Sequence, residues 1–189
     1  MAATRLTKSY GSKTLFQNLS LHVRRRDRLA LVGPNGSGKT TLLNVIQGIT
    51  LPDSGSVRLG ANVELASIEQ NPGGLNLSLS PLDICGSNSG ARTLLACLKL
   101  RPDRLNRPLH ELSGGERTKV ALGRILTSGA NLLLLDEPTN HLEIEAQEAL
   151  EQALRLYPGT VIVVSHDRFF LNALGPGVAF LKLSDAHDS

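Results

Sequence analysis

Short apolar runs alternate with stretches of helical spacing along most of this 189-residue chain. Leu29-Ala30-Leu31-Val32 is continuously apolar, leads into a glycine-rich loop, and is expected to be a buried parallel strand. Thr41 to Gln47 then follows helical spacing, with Gly48 as the expected stop. Before this unit, Leu19 to Val23 alternates in the manner of a half-buried strand, and the basic cluster Arg24-Arg25-Arg26-Asp27-Arg28 follows it. After it, Pro52-Asp53-Ser54-Gly55 has turn chemistry, and Ser56 to Leu59 and Val63 to Ile68 are expected as paired strands.

The pattern changes at Asn71. Asn71-Pro72-Gly73-Gly74 and Gly86-Ser87-Asn88-Ser89-Gly90 frame an irregular region, and Ala91 to Leu100 reads as a helix ended by Arg101-Pro102. A second helix is expected from about Glu116 to Leu126, so residues 71–128 form an inserted, mainly helical subdomain in this reading. The strand-and-helix alternation then returns. Leu132 to Leu135 is a strand, Glu145 to Leu156 a helix, and Thr160 to Val164 a β-branched strand introduced by Pro158-Gly159. Val178 to Leu183 is expected as a last strand, which makes residues 1–70 and 129–183 an α/β core.

Composition narrows the class. Aromatic residues make up 3% of a chain that is 41% hydrophobic, so the core must be built from Leu, Val, Ile and Ala. That suits parallel strands covered by helices. A net charge of +3 permits an anionic partner without arguing for one. Cys85 and Cys97 have no metal-ligand spacing, which fits inert thiols in a reducing cytoplasm. The N-terminus lacks the apolar stretch of a signal peptide, and no apolar run approaches the ~20 residues of a membrane span.

Candidate chemistry lies at the ends of the apolar runs. Gly33-Pro34-Asn35-Gly36-Ser37-Gly38-Lys39-Thr40, followed by Thr41, is a phosphate-cradling loop between a strand and a helix. Its glycines let successive backbone N–H groups turn toward an anion, and the helix adds its positive end. Lys39 is expected to reach the β and γ phosphates, and Thr40 to offer a hydroxyl to Mg²⁺. At the end of the leucine run, Asp136 is the expected Mg²⁺ ligand and Glu137 the base that polarises the attacking water. Gln70 is a candidate contact to Mg²⁺ or that water, and His166 a candidate γ-phosphate sensor just past Thr160 to Val164. Ser165-His166-Asp167 is not a hydrolase triad, because adjacent residues cannot form that relay. Ser113, Gly114 and Gly115, with Glu116 three residues after Ser113, form a helix-opening capping box that doubles as a second anion site. Tyr10 is a candidate platform for an adenine ring.

Taken together, these residues resemble the nucleotide-binding domain of the ATP-binding-cassette superfamily over about residues 5 to 175. Leu112-Ser113-Gly114-Gly115-Glu116-Arg117-Thr118-Lys119-Val120, Glu137-Pro138-Thr139-Asn140-His141-Leu142 and Ser165-His166-Asp167-Arg168 are most similar to one cassette of the ABC-F branch. The resemblance implies one P-loop NTPase domain over residues 1–189: a mainly parallel sheet flanked by helices, an antiparallel β portion near the N-terminus, and a helical insert. It implies ATP and Mg²⁺ as ligands, and a second cassette whose signature motif closes over the bound ATP. Three features depart from the pattern. A single cassette without a charged linker helix cannot complete both half-sites, so the chain reads as a homodimer or as half of a split protein. Glu143 stands where Asp is usual, which bears on geometry across the dimer. Met1 lies so close to Tyr10 that a shortened sheet edge is expected.

Three functions compete. A soluble ATPase acting on the ribosome and its rRNA is favoured by Glu116 and by Thr139-Asn140-His141-Leu142. The ATPase subunit of a membrane transporter is the alternative, and it would need a membrane partner docking near residues 71–110. A clamp that binds ATP without hydrolysis is disfavoured by Glu137 and His166. Arg24-Arg25-Arg26 with Arg28 is a candidate contact for RNA phosphates, against the plainer reading of a solvated surface run.

Overall fold

The computed structural model describes residues 1–68, 75–140 and 142–184. In chain order the elements begin with strands β1 (Ala2–Tyr10), β2 (Lys13–His22) and β3 (Arg28–Val32), followed by helix α1 (Lys39–Gln47). Strands β4 (Ser54–Arg58) and β5 (Leu65–Ile68) precede helices α2 (Pro81–Cys85), α3 (Ser89–Cys97) and α4 (Gly114–Thr127). The chain then forms β6 (Leu132–Asp136), α5 (Ile144–Leu156), β7 (Thr160–Val164), α6 (Arg168–Ala173) and β8 (Val178–Lys182).

Two sheets result. One is antiparallel in the order β2-β1-β4, and the other is parallel in the order β5-β6-β7-β3-β8. The central parallel strands β3, β6 and β7 are apolar at nearly every position because both of their faces are covered. Leu132, Leu134, Ile162, Val164, Leu29 and Leu31 point into a core shared with α1 and the antiparallel sheet. The alternate residues Leu133, Leu135, Val161, Val163 and Ala30 point into a second core closed by α5, α6 and the end of α4. A third cluster, including Leu82, Leu95, Leu109 and Val120, holds α2, α3 and the start of α4 together.

Several expectations change. Ser56–Leu59 and Val63–Ile68 do not pair with each other. β4 runs antiparallel to β1, and β5 runs parallel to β6 with Leu65 opposite Leu132. Alternation marks a strand but does not name its partner. Here Asp53 chooses it, accepting from Lys8 Nζ at 2.8 Å and from the Ser9 N–H at 2.7 Å, which clips the turn before β4 onto β1. These bonds also hold the Asp53 carboxyl below its ordinary range, the Lys8 bond contributing most.

The shortened edge is also absent. β1 is nine residues long and occupies the middle of its sheet, with hydrogen-bonded neighbours on both sides. Helix α3 stops at Cys97, short of Leu100, because Lys99 takes a left-handed conformation and turns Leu98 and Leu100 into the core.

Leu134, fully buried in the middle of β6, tests the two-sided sheet. Leu134→Ala is expected to lower unfolding stability by about 2–5 kcal/mol, seen as a lower urea midpoint at unchanged slope.

Candidate active site

Strands β3, β7 and β6 are neighbours and parallel, so their C-terminal ends open on one edge of the sheet. That edge is where open α/β sheets bind ligands. Past β3 the loop from Gly33 to Gly38 delivers the chain into α1. Gly38 stands at the head of α1 with φ of 93°, and a Cβ there would lie 2.9 Å from Leu15 Cβ. No side chain caps α1, and its first turn carries no acid. The N–H groups of that turn therefore lack a side-chain acceptor and face an anion-sized opening. At Gly33 a Cβ would come within 2.2 Å of the Leu183 carbonyl oxygen, so no larger residue fits the turn.

Lys39 Nζ arches back over the loop and donates to the carbonyls of Gly33 at 2.9 Å and Pro34 at 2.8 Å. Thr40 Oγ1 donates to Asp136 Oδ2 at 2.6 Å, joining the loop helix to the end of β6. Asp136 is only 5% exposed. Burial raises its pKa above the ordinary carboxyl value and the neighbouring Glu137 adds to this, while Thr40 and Lys39 oppose it.

Glu137 follows with φ of 47°, a left-handed conformation that costs a non-glycine residue roughly 1–2 kcal/mol. Its N–H donates to the Val164 carbonyl at 2.9 Å, which fixes this kink against β7. Its carboxylate Oε1 lies 2.9 Å from His166 Nδ1. A carboxylate only accepts, so this contact places the proton on Nδ1. Glu137 Oε2 and Ser37 Oγ are buried with no hydrogen-bond partner. Buried polar atoms are nearly always satisfied, so Glu137 Oε2, on a residue that lines a cavity, is available to a ligand or to water held by one.

A cavity of about 430 Å³ unites these groups. The loop and α1 supply Asn35, Gly36, Gly38, Lys39, Thr40 and Thr41, the sheet supplies Asp136 and Glu137, and Tyr10 stands at the end of β1. Tyr10 is 56% exposed and has the Lys8 ammonium 5.2 Å from its ring centroid. Gly33 and His166 line an adjoining cavity of about 580 Å³. Asp167 serves locally instead, capping α6 through the N–H groups of Phe169 and Phe170.

The residues present fit a magnesium nucleotide. Among the described residues no three His, Cys, Asp or Glu side chains gather as a metal cage. Mg²⁺ needs none, since it commonly takes one or two protein oxygens and completes its shell with phosphates and water. Thr40 and Asp136 supply such oxygens.

The signature segment sits elsewhere. Ser113 and Glu116 form the capping box, with the Ser113 N–H donating to Glu116 Oε2 at 2.8 Å and the Glu116 N–H donating to Ser113 Oγ at 3.2 Å. Glu116 Oε1 also lies 3.4 Å from Arg104 Nε. Ser113 and Gly114 are exposed, and neither they nor Gly115 line either cavity. Gln70 and His141 lie outside the described residues. Leu15 and Val164 line the cavity and were not foreseen, although the Gly11-Ser12 turn after Tyr10 would have signalled the hairpin that brings Leu15 in. The basic cluster divides. Arg24, Arg25 and Arg26 are exposed, but Arg28 donates to the carbonyls of Leu154, Tyr157 and Gly159 and cannot join an RNA contact.

The ABC transporter family model matches residues 16–140, well over half of the chain. The chain belongs to this family, which is a family of ATPases. The cassette is 40% identical to the putative ATP-binding protein YdiF of Bacillus subtilis (strain 168), over 96% of this chain and 29% of YdiF. It is 38% identical to the energy-dependent translational throttle protein EttA of Escherichia coli (strain K12), an ABC-F protein, over 92% of this chain and 33% of EttA. The chain thus spans about a third of the length of these relatives. Its fold matches the dimeric bacterial ABC transporter cassette MJ0796 with a TM-score of 0.80 at 25% identity, covering 97% of this chain and 94% of that one. Among the described residues of the cassette no helix is long and apolar enough to cross a membrane.

The raised pKa of Asp136 has a thermodynamic sign. Folding takes up a proton at this group, so its contribution is present below the ordinary Asp value and lost as pH rises through the raised value. At neutral pH the ionised side chain costs stability. Asp136→Asn is expected to raise the melting temperature of the nucleotide-free cassette at pH 8, with the gain vanishing toward pH 3, read by thermal scans. Ser113→Ala should cost about 1 kcal/mol through loss of the cap, read by urea unfolding.

Proposed function

We propose that this cassette binds ATP with Mg²⁺ and hydrolyses it, and that a second cassette completes the site. The observation that carries the reading is the pairing at the cavity: Thr40 on Asp136, and Glu137 on His166, beneath an uncapped helix end. Tyr10 would stack the adenine. The N–H groups from Gly33 to Thr41, including those of Asn35, Ser37 and Gly38, would cradle the phosphates, and Lys39 would exchange its loop carbonyls for phosphate oxygens. Thr40 and Asp136 would hold Mg²⁺, with Gln70 as a further ligand. Bound Mg²⁺ would offset phosphate charge and align the reacting oxygens.

Glu137 would take the proton of the attacking water. Its kinked backbone aims the carboxylate, and His166 holds one oxygen while the other stays free for water. The same contact lets His166 report the state of the γ-phosphate. Ser113 and Gly114 are exposed, and neither they nor Gly115 line this cavity, which supports the three acting on ATP held by another cassette, whether a second copy or a missing half.

The cellular role we propose is cytoplasmic and translational, with the ribosome and its rRNA as partner. The similarity to EttA, a translational throttle by name, supports it. A transporter ATPase subunit with a membrane partner is the second reading, supported by the fold of the MJ0796 transporter cassette.

Two measurements test these proposals. Glu137→Gln is expected to lower the ATPase rate at least ~100-fold while ATP still binds, the usual loss for a general base; an unchanged rate removes Glu137 from that role. Tagged Glu137→Gln protein in a lysate should sediment with ribosomes in ATP-Mg²⁺ and leave them in EDTA. Sedimentation with membranes would favour the transporter reading instead.

A further inference from the structure

Among the described residues the buried charged side chains are Asp136 and Lys119. Asp136 belongs to the cavity, but Lys119 lies in α4, five residues past Gly114, and no part of the nucleotide chemistry accounts for it. Its ammonium is answered from two directions, by the Lys99 carbonyl at 3.4 Å and by Glu143 Oε2 at 3.6 Å. Glu143 is the residue at the head of α5, and its carbonyl accepts from the N–H groups of Ala146 and Gln147. Gln147 Nε2 in turn donates to the carbonyls of Thr139 and Leu142, both at 3.2 Å. The segment that begins at the kinked Glu137 is therefore stitched to the first turn of α5, and Lys119 ties that turn to α4.

The two ends of the pair are unequal. The Lys119 side chain is 7% exposed and that of Glu143 is 83% exposed. A buried ammonium cannot lose its partner without a desolvation cost, whereas an exposed carboxylate can rotate into water. The pair is thus a latch that opens from the Glu143 side. A shift of α4 either carries the head of α5 with it or leaves the ammonium without its counter-charge, held by the Lys99 carbonyl alone.

We infer that Lys119 is a positioning residue: through Glu143 it couples displacement of the helix headed by Ser113 to the loop that carries Glu137. A signal at the signature segment then reaches the base of the same cassette without crossing the nucleotide. The effect on turnover rests on the ATPase reading above, but the coupling does not.

The test is hydrogen exchange by mass spectrometry on the full chain, alongside steady-state ATPase kinetics. The variants are Lys119→Met, Lys119→Arg, Glu143→Gln and the double variant Lys119→Met/Glu143→Gln. Lys119→Met and Glu143→Gln are each expected to speed exchange of residues 137–147 about tenfold, leaving β6 and β7 unchanged. The double variant should be no worse than either single one, and Lys119→Arg should behave as wild type. Turnover should fall about tenfold in kcat with KM for ATP unchanged in the two single variants.

Unchanged exchange at 137–147 in the exposed-site variant Glu143→Gln overturns the proposal, even if Lys119→Met fails to fold. Uniform loosening of α3, α4 and the loop overturns it as well, since that marks packing alone. If wild type shows no turnover while the exchange pattern is as expected, the coupling stands and the hydrolysis reading fails.

Discussion

A parallel sheet buried on both faces governs the rest of this molecule. Because β3, β7 and β6 are apolar at nearly every position, neither face can be left to solvent, and helices must cover both. Parallel strands linked by helices finish at the same edge. The chain ends that follow β3, β6 and β7 are thereby brought within hydrogen-bond distance, Thr40 meeting Asp136 across 96 residues of sequence and Glu137 meeting His166 across 29. The polar site exists because the apolar one leaves its chain ends nowhere else to converge.

That convergence carries a cost in stability. Asp136 is buried beside a second carboxylate, and Glu137 sits in a backbone conformation that a non-glycine residue avoids. Glu137 Oε2 and Ser37 Oγ lie buried without partners. Asp136 and Glu137 line one cavity, and a magnesium nucleotide there would relieve the crowding of their charges. A fold under no demand to bind would not gather them there.

The helical region answers a different demand. Its capping box satisfies the backbone at the start of α4, and Arg104 lies beside Glu116, yet Ser113 and Gly114 are exposed. In the coupling inferred above, Lys119 connects the same helix inward through Glu143.

Local chemistry was legible in the order of residues. The glycine loop, the capping box, the stop at Gly48 and the leucine strand ending in Asp136-Glu137 each depend on neighbours within a few positions, and adjacent residues state such constraints directly. Partner choice was not legible. β4 chose β1 through Asp53, and β5 joined the parallel sheet, because alternation specifies a face without specifying which strand lies beside it. Nor could order alone reveal that Arg28 is consumed by the carbonyls at the end of α5, or that Lys119 is buried against Glu143. Charges read as surface in a sequence become internal when distant segments close over them. The chain's own letters determined the glycine loop, the acids at the end of the leucine strand and the caps, whereas only the tertiary structure decided which of them meet, since long-range packing sets that geometry.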